Sequence, residues 1–159
     1  MNFTVNAMAQ SLADYLLPLF PGVTFIQNPT QQNSGQNGVN VPCMFLQQRY
    51  SYITLQTGGY YYRRIGLDLT YLVDYNLTNL QELYQTAAEM LDLNMETFPY
   101  NDGTTTGTVQ LRTYDREWRI DLDALHYKFE LRERVTIPET ETKMQTIQEL
   151  NEEVTINEK

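Results

Sequence analysis

Residues Val41 to Tyr75 carry the pattern of one long antiparallel hairpin that turns at Gly58-Gly59. Its two arms, Met44–Thr57 and Tyr60–Tyr75, are rich in β-branched and aromatic residues, and a Gly-Gly pair between such arms is a strong turn signal. Fourteen residues at about 3.3 Å each give an arm of roughly 46 Å. A compact chain of this length is only about 40 Å across. The hairpin tip is therefore predicted to project into water or to lie on another subunit.

Three tyrosines follow the turn directly, and two arginines come next. A tyrosine ring is apolar over most of its surface and polar at its hydroxyl, so it suits a protein interface better than bare water. We therefore predict that Tyr60, Tyr61, Tyr62, Arg63 and Arg64 contribute to a contact between subunits. The alternative is that these aromatic residues cover the rim of the chain's own sheet.

The charge balance excludes several classes of partner. With 11 Lys and Arg against 20 Asp and Glu, the chain has a formal net charge of −9. A nucleic-acid binder needs basic residues to neutralise phosphates, and anionic membranes attract basic segments, so we expect neither partner. The sequence also has no run of 18 apolar residues, so no membrane span is predicted.

A single cysteine limits the redox and metal chemistry that the chain can support. Cys43 has no second cysteine to pair with, which excludes an intrachain disulfide and a thiolate metal cluster. Its apolar strand context predicts a buried, inert thiol. Because Asp14 interrupts the first apolar face, we expect no secretory signal and predict synthesis in a reducing cytoplasm.

Hydrophobic periodicity predicts two helices. The first runs from Val5 to Phe20, where apolar residues recur at steps of three and four, and it is closed by Pro21-Gly22. The second runs from about Thr78 to Asn94, with Thr78 as the expected N-cap of a capping box. Each helix carries one apolar stripe, so each is expected to pack on a single surface.

Strand patterns occupy most of the remaining chain. Val23–Gln27 predicts a short strand, and a Gln/Asn/Gly-rich loop from Asn28 to Asn40 separates it from the long hairpin. A last hairpin is predicted from Val109–Asp121 and Leu125–Ile137. The apolar parity switches at Asp123-Ala124, which predicts its tight turn there.

This order of elements predicts an α+β fold, in which two helices pack on one face of a mostly antiparallel sheet with a long β-hairpin. Residues 1–138 form the single predicted domain. Residues 139–159 hold six Glu and two Lys, and they predict an acidic, partly helical C-terminal tail. Three apolar residues of this tail fall at helical spacing and are predicted to dock on a neighbouring subunit: Met144, Ile147 and Leu150.

Catalysis finds little support in the sequence. His126 is the only histidine, which excludes a multi-histidine metal site. Its polar strand parity predicts a solvated side chain, which argues against a His-based triad. Asp121 and Asp123 with Glu117 could bind a hard cation, but carboxylates beside a hairpin turn are ordinary turn chemistry. We therefore expect neither an enzyme nor a metal or organic cofactor.

Several segments together resemble the tail terminator proteins of long-tailed phages and prophages, over roughly residues 5–137. The resemblance is carried by the element order and by Phe20-Pro21-Gly22, Val41-Pro42, Tyr61-Tyr62-Arg63-Arg64, Leu67-Asp68-Leu69-Thr70-Tyr71 and Leu125-His126-Tyr127-Lys128-Phe129-Glu130-Leu131. It implies a ring, typically a hexamer, that caps the finished tail tube, stops its polymerisation and presents a surface to the head connector. It also implies a place at the head-proximal end of the virion tail, after assembly in the bacterial host cytoplasm.

Two alternative functions remain open on the sequence. One is another component of the same particle, a head–tail connector or stopper protein or a tail tube subunit. The other belongs to a different class, a module that binds a small ligand or a carbohydrate on the Tyr-rich hairpin. Particle size in solution separates them, because a ring favours the first two functions and a monomer favours the binding module.

Overall fold

Helix α1 spans Val5–Leu16 and begins with a side-chain cap, since the Thr4 hydroxyl accepts a hydrogen bond from the Ala7 amide at 3.2 Å. The helix ends four residues before the predicted Phe20. Pro18 explains the early end, because proline lacks an amide hydrogen and cannot continue the helical hydrogen bonds beyond Leu17, whose own amide still donates to the Ala13 carbonyl at 3.0 Å. The computed structural model describes residues 3–26, 41–103, 107–121 and 124–135.

Six strands form one sheet in the order β1-β2-β3-β6-β5-β4. The strands are β1 Thr24–Ile26, β2 Cys43–Leu55, β3 Tyr61–Leu72, β4 Thr97–Tyr100, β5 Val109–Asp121 and β6 Ala124–Val135. Strand β1 runs parallel to β2, and every other neighbouring pair is antiparallel. The prediction of a mostly antiparallel α+β fold with two helices is confirmed. The short strand β4 falls within the connection after the second helix.

Helix α2 spans Leu80–Asn94, so it begins two residues after the predicted start. Asn79, not Thr78, occupies the N-cap position, and its side chain makes no capping hydrogen bond. The predicted capping box at Thr78 is therefore wrong. The helix is instead held by packing and by its buried Tyr84, whose hydroxyl accepts a hydrogen bond from the Val73 amide at 3.2 Å.

The last hairpin turns one residue earlier than predicted. Ala124 is already paired with Asp121 in the β5–β6 ladder, so the predicted turn at Asp123-Ala124 is wrong in its second residue. A β-bulge between Tyr114 and Glu117 interrupts β5, and Asp115 adopts a positive φ of 51° there. The extra residue reverses the side-chain parity of β5 on either side of the bulge.

The core lies between the two helices and one face of the sheet. Met8, Leu12 and Leu16 of α1 join the same buried cluster as Tyr84 and Leu91 of α2. The strand residues of this cluster alternate along their strands, and they include Ile65, Leu67 and Leu69 on β3 and Leu125, Tyr127, Phe129 and Leu131 on β6. We call this side the helix-bearing face and the opposite side, with Gly66, Asp68 and Thr70, the outer face. The division at residue 138 stays a prediction, and residues 28–40 and 139–159 lie outside the described part.

Candidate interaction surface on the long hairpin

Strands β2 and β3 form the long hairpin, with a ladder that runs from Cys43–Leu72 to Leu55–Tyr61. The turn is closed by hydrogen bonds from the Gln56 amide to the Tyr60 carbonyl and from the Gly59 amide to the Gln56 carbonyl, at 2.8 and 3.2 Å. Gly58 and Gly59 have φ values of 102° and 79°, which side chains other than glycine rarely adopt. The Gly-Gly pair therefore fixes where the chain reverses.

The predicted interface residues of the hairpin are divided between the two faces. Strand alternation places Tyr61 and Arg63 on the helix-bearing face and Tyr62 and Arg64 on the outer face. Tyr60 lies beside the outer-face residues, where the guanidinium of Arg134 stands 4.0 Å from the centre of its ring. The three tyrosines are each half-buried in the single chain. They do not form one continuous aromatic surface.

An apolar strip extends the helix-bearing face beyond the part that the helices cover. Leu55, Tyr61 and Val135 pair side by side across three strands, and Ile53 lies in the next row. Leu55 is 64% exposed and Ile53 is 39% exposed. We call these four residues the distal strip. Exposed aliphatic and aromatic side chains gathered at one edge are typical of a protein interface.

Two charged residues, Arg63 and Glu133, lie beside Ile53 on the neighbouring strands, at the base of the distal strip. Arg63 pairs with Ile53 on one side and with Glu133 on the other. Among the described residues, the buried Nε of Arg63 has no hydrogen-bond partner. Burial raises the pKa of the Glu133 carboxyl. A buried donor without an acceptor costs free energy in the folded chain.

The outer face of the hairpin is organised around a buried carboxylate. Glu130 is 2% exposed, and its two oxygens accept hydrogen bonds from three side chains. The Tyr50 hydroxyl donates at 2.8 Å, Arg64 donates through Nε and Nη2 at 2.9 and 3.0 Å, and Arg132 Nε donates at 2.6 Å. We call Tyr50, Arg64, Glu130 and Arg132 the Glu130 cluster. It joins β2, β3 and β6 across the outer face.

Aromatic rings surround this cluster. The guanidinium of Arg64 lies 5.5 Å from the ring centre of Tyr52, and that of Arg132 lies 4.4 Å from the ring centre of Tyr114. Arg132 also forms an ion pair with Asp115 at 3.0 Å. Each arginine is therefore held by both a carboxylate and a ring.

The charges of the Glu130 cluster reinforce one another. Burial alone would raise the pKa of Glu130, but hydrogen bonds from Arg132, Tyr50 and Arg64 outweigh it and lower the pKa. The hydrogen bond with Glu130 raises the pKa of Tyr50 and that of each arginine. At neutral pH the cluster therefore holds one carboxylate, two guanidinium groups and a neutral phenol.

His126 lies on the outer face, at the end of the sheet opposite the hairpin tip. Its Nδ1 is 3.0 Å from an Asp68 carboxylate oxygen and its Nε2 is 3.3 Å from an Asp121 oxygen. Asp121 also pairs with Arg119 at 3.1 Å. The two carboxylates lie on opposite sides of the ring and cannot bind one ion together with it. Within the described ranges, no three His, Cys, Asp or Glu residues are placed to hold a metal ion.

Sequence reasoning missed Tyr50, Ile53 and Leu55 because a β-bulge between Gln48 and Tyr50 reverses the parity of β2. The bulge turns Tyr50 to the outer face and turns Ile53 and Leu55 to the helix-bearing face. One signal was present in the sequence. Gly66 interrupts an otherwise bulky strand, and glycine inside a strand marks a bulge or a close approach by another group.

A comparison with models of known protein families identifies the family of this chain. The model of a family described as phage tail terminator protein matches residues 6–143, which is most of the chain. The chain belongs to the phage tail terminator family. The resemblance inferred from the element order and the tyrosine–arginine run is thereby confirmed.

Membership of the tail terminator family gives the chain a structural role in the phage tail, within the virion and in contact with other tail components. The family is a structural one. No curated protein matches the sequence significantly. Within the described residues, no helix is both long and apolar enough to cross a membrane.

Proposed function

We propose that this protein is a ring-forming tail terminator that caps the finished tail tube and stops its polymerisation. The observation that supports the proposal is the distal strip, which leaves Leu55 and Ile53 exposed at the far end of a long hairpin in a chain of this family. An exposed apolar surface at one end of a sheet is suited to contact with another subunit. Tyr60, Tyr61, Tyr62, Arg63 and Arg64 lie in or beside this region and remain the proposed contact residues.

A ring follows if the contact is head-to-tail. Subunits that join through two different surfaces form a closed ring when the rotation between neighbours closes, and an open filament when it does not. The distal strip belongs to one end of the sheet only, so a ring of this kind requires a second, different surface that receives it. We propose six subunits, the number that is typical of the terminators that the sequence resembles.

The proposed partners are the tail tube protein on one side of the ring and the head–tail connector on the other. The acidic segment 139–159 supplies a further proposed docking contact through Met144, Ile147 and Leu150. The formal charge of −9 supports a purely protein partner set, without nucleic acid or membrane. The proposed location is the head-proximal end of the tail, reached by assembly in the host cytoplasm.

The rival functions receive less support. A connector, stopper or tube subunit would also self-assemble, but the family match favours the terminator. A carbohydrate module would need open aromatic faces for stacking. The ring of Tyr50 instead lies against Gly66 while its hydroxyl donates to Glu130, and the ring of Tyr60 is covered by Arg134. These rings are already in use within the chain.

Electron microscopy of purified protein and of assembled tails tests the proposal. We expect closed rings of the free protein or, if the ring forms only on the tube, several copies in one layer at the head-proximal tail end. Mass measurement by light scattering gives the copy number against the monomer mass of 18.6 kDa. A single copy at the tail end, or a place elsewhere in the virion, would contradict the proposed function.

A further inference from the structure

Strand β2 has a long edge that β1 covers only at its start. β1 pairs with residues 43–45, whereas β2 continues to Leu55. Among the described residues, no other strand pairs with this side of β2. A bulge and Arg49 interrupt the free part near its start, and beyond them residues 50–55 contain neither a charge nor a proline. Charges, prolines and bulges are the devices that keep a free edge from pairing, so we call residues 50–55 the open edge of β2.

A second free edge lies on the opposite side of the sheet, on β5. β4 pairs with residues 109–112 only, and a bulge follows before Glu117. Residues 117–121 are regular strand, and within the part of the chain that the structure describes they have no strand partner on the side away from β6. We call residues 117–121 the open edge of β5.

The backbone of the open edge of β2 points away from the sheet at every second residue. The Gln56 amide donates inward, to the Tyr60 carbonyl on the other arm of the hairpin. Strand alternation then turns the amides of Ser51 and Ile53 outward. These positions can therefore bond to an added strand without giving up any bond to β3.

The open edge of β5 has the same property. The Thr113 amide points away from β6, because it donates to the Glu96 carbonyl. Thr113 and Trp118 stand opposite Leu131 and Tyr127, which lie an even number of residues apart on β6. The amide of Trp118 therefore also points outward.

A second copy of the chain brings these two edges together in a favourable direction. β2, β3, β6 and β5 are neighbours in that order, and each neighbouring pair is antiparallel. β5 therefore runs opposite to β2. When two copies stand side by side in one orientation, β5 of one copy meets β2 of the other antiparallel, with both helix-bearing faces on the same side. Such a contact is head-to-tail and repeats from copy to copy.

The side chains of the two edges match face by face when Ile53 stands opposite Trp118. Ile53 is 39% exposed and Trp118 is 37% exposed, and both belong to the helix-bearing face, as does Ile120. A cross-strand pair of an aromatic and a β-branched residue is stabilising. On the outer face, Arg119 falls opposite Tyr52, which pairs a guanidinium with an aromatic ring.

The same register brings opposite charges together at the base end of the contact. Arg49, the only charged residue of β2, comes beside Asp121 of the neighbour. Among the described residues, Arg49 lies over the Tyr50 ring and has no carboxylate partner. Asp121 is already paired with Arg119 and His126, but a carboxylate has about four acceptor positions and can take a further donor. Complementary charges of this kind fix the register of a contact.

The two short edge strands require the copies to be displaced along the strands. Trp118 stands in the row of Leu46, through Tyr127 and Leu69, and Ile53 lies six rows nearer the hairpin tip. Six rows are about 20 Å, and the four strands from β2 to β5 span about 19 Å. This displacement clears both β1 and β4. It corresponds to strands tilted by about 45°, close to the tilt of about 35–45° in closed barrels.

The segments outside the described residues are less suited to the open edge of β2. Residues 28–40 contain Pro29 and a single aliphatic residue, Val39, so they have little to pack against Ile53. In residues 139–159 the apolar residues recur at helical spacing and not at the alternation of a strand. A second copy supplies a strand with the right direction, side chains and charge.

We propose that the open edge of β2 in one copy pairs with the open edge of β5 in the next copy. The sheets of neighbouring subunits then form one continuous antiparallel sheet around the ring. The inference rests on the proposed ring and names the contact that builds it. It also supplies the second, different surface that a head-to-tail contact requires, with Leu55 of the distal strip at the tip end of this contact.

Hydrogen exchange measured by mass spectrometry tests the pairing in the wild-type chain. The assembled chain, as free rings or on isolated tails, is compared with the dilute monomer. Peptides that cover residues 50–55 and 117–121 should both exchange more slowly in the assembled state. A peptide around Tyr75, which is 76% exposed, is the control and should not change.

The other exchange results would overturn the inference. Slower exchange of residues 50–55 alone would mean that two β2 edges pair with each other or that another tail protein adds the strand. Protection of residues 50–55 already in the monomer would mean that a segment of the same chain covers this edge. Unchanged exchange at both edges of an assembled ring would mean that the ring uses other surfaces.

A proline variant tests the backbone contact itself. Ser51→Pro removes one outward amide of β2 and keeps the bonds to β3, because an edge strand tolerates proline where the amide faces away from the sheet. Ser51→Ala keeps the amide and is the matched control. Ser51→Pro should raise the concentration needed for assembly by about tenfold or more, while Ser51→Ala assembles as the wild type does. Equal assembly of the two variants would contradict the pairing.

Two further readouts keep the inference separate from folding and from the proposed function. Thermal unfolding should show Ser51→Pro and Ser51→Ala folded, and if the proline variant does not fold, the exchange experiment on the wild type decides. Several copies in one layer at the tail end, with both open edges unprotected, would overturn only the inference. A single wild-type copy at the tail end would instead remove the proposed function itself.

Discussion

The ring of Tyr50 lies directly against the backbone of Gly66 on the outer face of the sheet. A Cβ atom built at Gly66 would meet Cε1 and Cζ of that ring well inside van der Waals contact. The two residues are paired across β2 and β3, immediately after the β2 bulge. The absence of a side chain at Gly66 therefore lets the Tyr50 hydroxyl reach Glu130, on the next strand of the sheet.

Gly66→Ala should destabilise the fold by lifting the Tyr50 ring away from Glu130. We expect a loss of about 1–2 kcal/mol from overpacking and from the lost hydrogen bond. For a chain of this size that loss lowers the Tm by roughly 3–6 °C in thermal unfolding. A double-mutant cycle with Tyr50→Ser is the control. The effect of Gly66→Ala should nearly vanish in the Tyr50→Ser background, and additive losses would refute the contact.

The Glu130 cluster should make stability depend on pH. The pKa of Glu130 is lowered from its ordinary value of 4.5, so its contribution is complete above that value and is lost as the pH falls through the folded pKa. Glu130→Gln should cost about 2 kcal/mol at pH 7, because charge-assisted hydrogen bonds are lost. The Tm difference between wild type and variant should then shrink from pH 5 downwards. A difference that is constant with pH would contradict the assignment.

Glu133→Gln is a control of opposite sign for the same titration. Burial raises the pKa of Glu133, so its charged form disfavours the folded state and protonation relieves that cost. The Gln variant should therefore be at least as stable as the wild type at pH 7. On acidification the wild type should gain relative to this variant as the pH falls through the raised pKa. Across the same pH scan, the stability of the wild type should therefore fall relative to Glu130→Gln and rise relative to Glu133→Gln.

The fold could be predicted from the sequence because its strongest signals are local. The alternation of Ile65, Leu67 and Leu69 and the Gly58-Gly59 turn need no tertiary context, and these patterns agree with the observed strands and turn. The site was harder to predict. A bulge beside Tyr50 shifts the parity of β2, and its one sequence signal, Gly66, lies on the partner strand, so it can be interpreted only once the pairing of the two strands is known. The pairing of Arg64 with Glu130 depends on residues 66 positions apart.

Replacement of Tyr60, Tyr61 and Tyr62 by Ser should weaken ring formation and leave the fold intact. Loss of the contact between Tyr60 and Arg134 costs only about 0.5–1 kcal/mol. Since Tyr61 alone belongs to the distal strip, Tyr61→Ser should account for most of the assembly defect. Light scattering as a function of concentration measures it. Tyr75→Ser, at a tyrosine that is 76% exposed away from the hairpin tip, is the matched control. Assembly of the triple variant at wild-type concentrations would refute the role of the tip.

A chain that ends at Pro138 should unfold within a degree or two of the full chain. Among the described residues, the core cluster runs from Met8 to Leu131, so we expect residues 139–159 to add little to it. The few apolar residues of that segment cannot sustain an isolated helix in water. Thermal unfolding of both chains measures the difference. A fall in Tm of about 8 °C or more, equivalent to a few kcal/mol, would make the segment part of the folded core.

Divalent cations should leave the thermal stability unchanged. Asp121 is already paired with Arg119 and His126, and Asp123 lies outside the described residues. An ion that bound the folded chain would stabilise it by about 2.7 kcal/mol at a hundredfold excess over its Kd, which a thermal scan detects easily. Scans with Mg²⁺, Ca²⁺ and Zn²⁺, each against a chelator control, make the measurement. A clear rise in Tm that disappears in an Asp121→Asn, Asp123→Asn chain would reveal a carboxylate metal site and contradict the expectation of a cofactor-free protein.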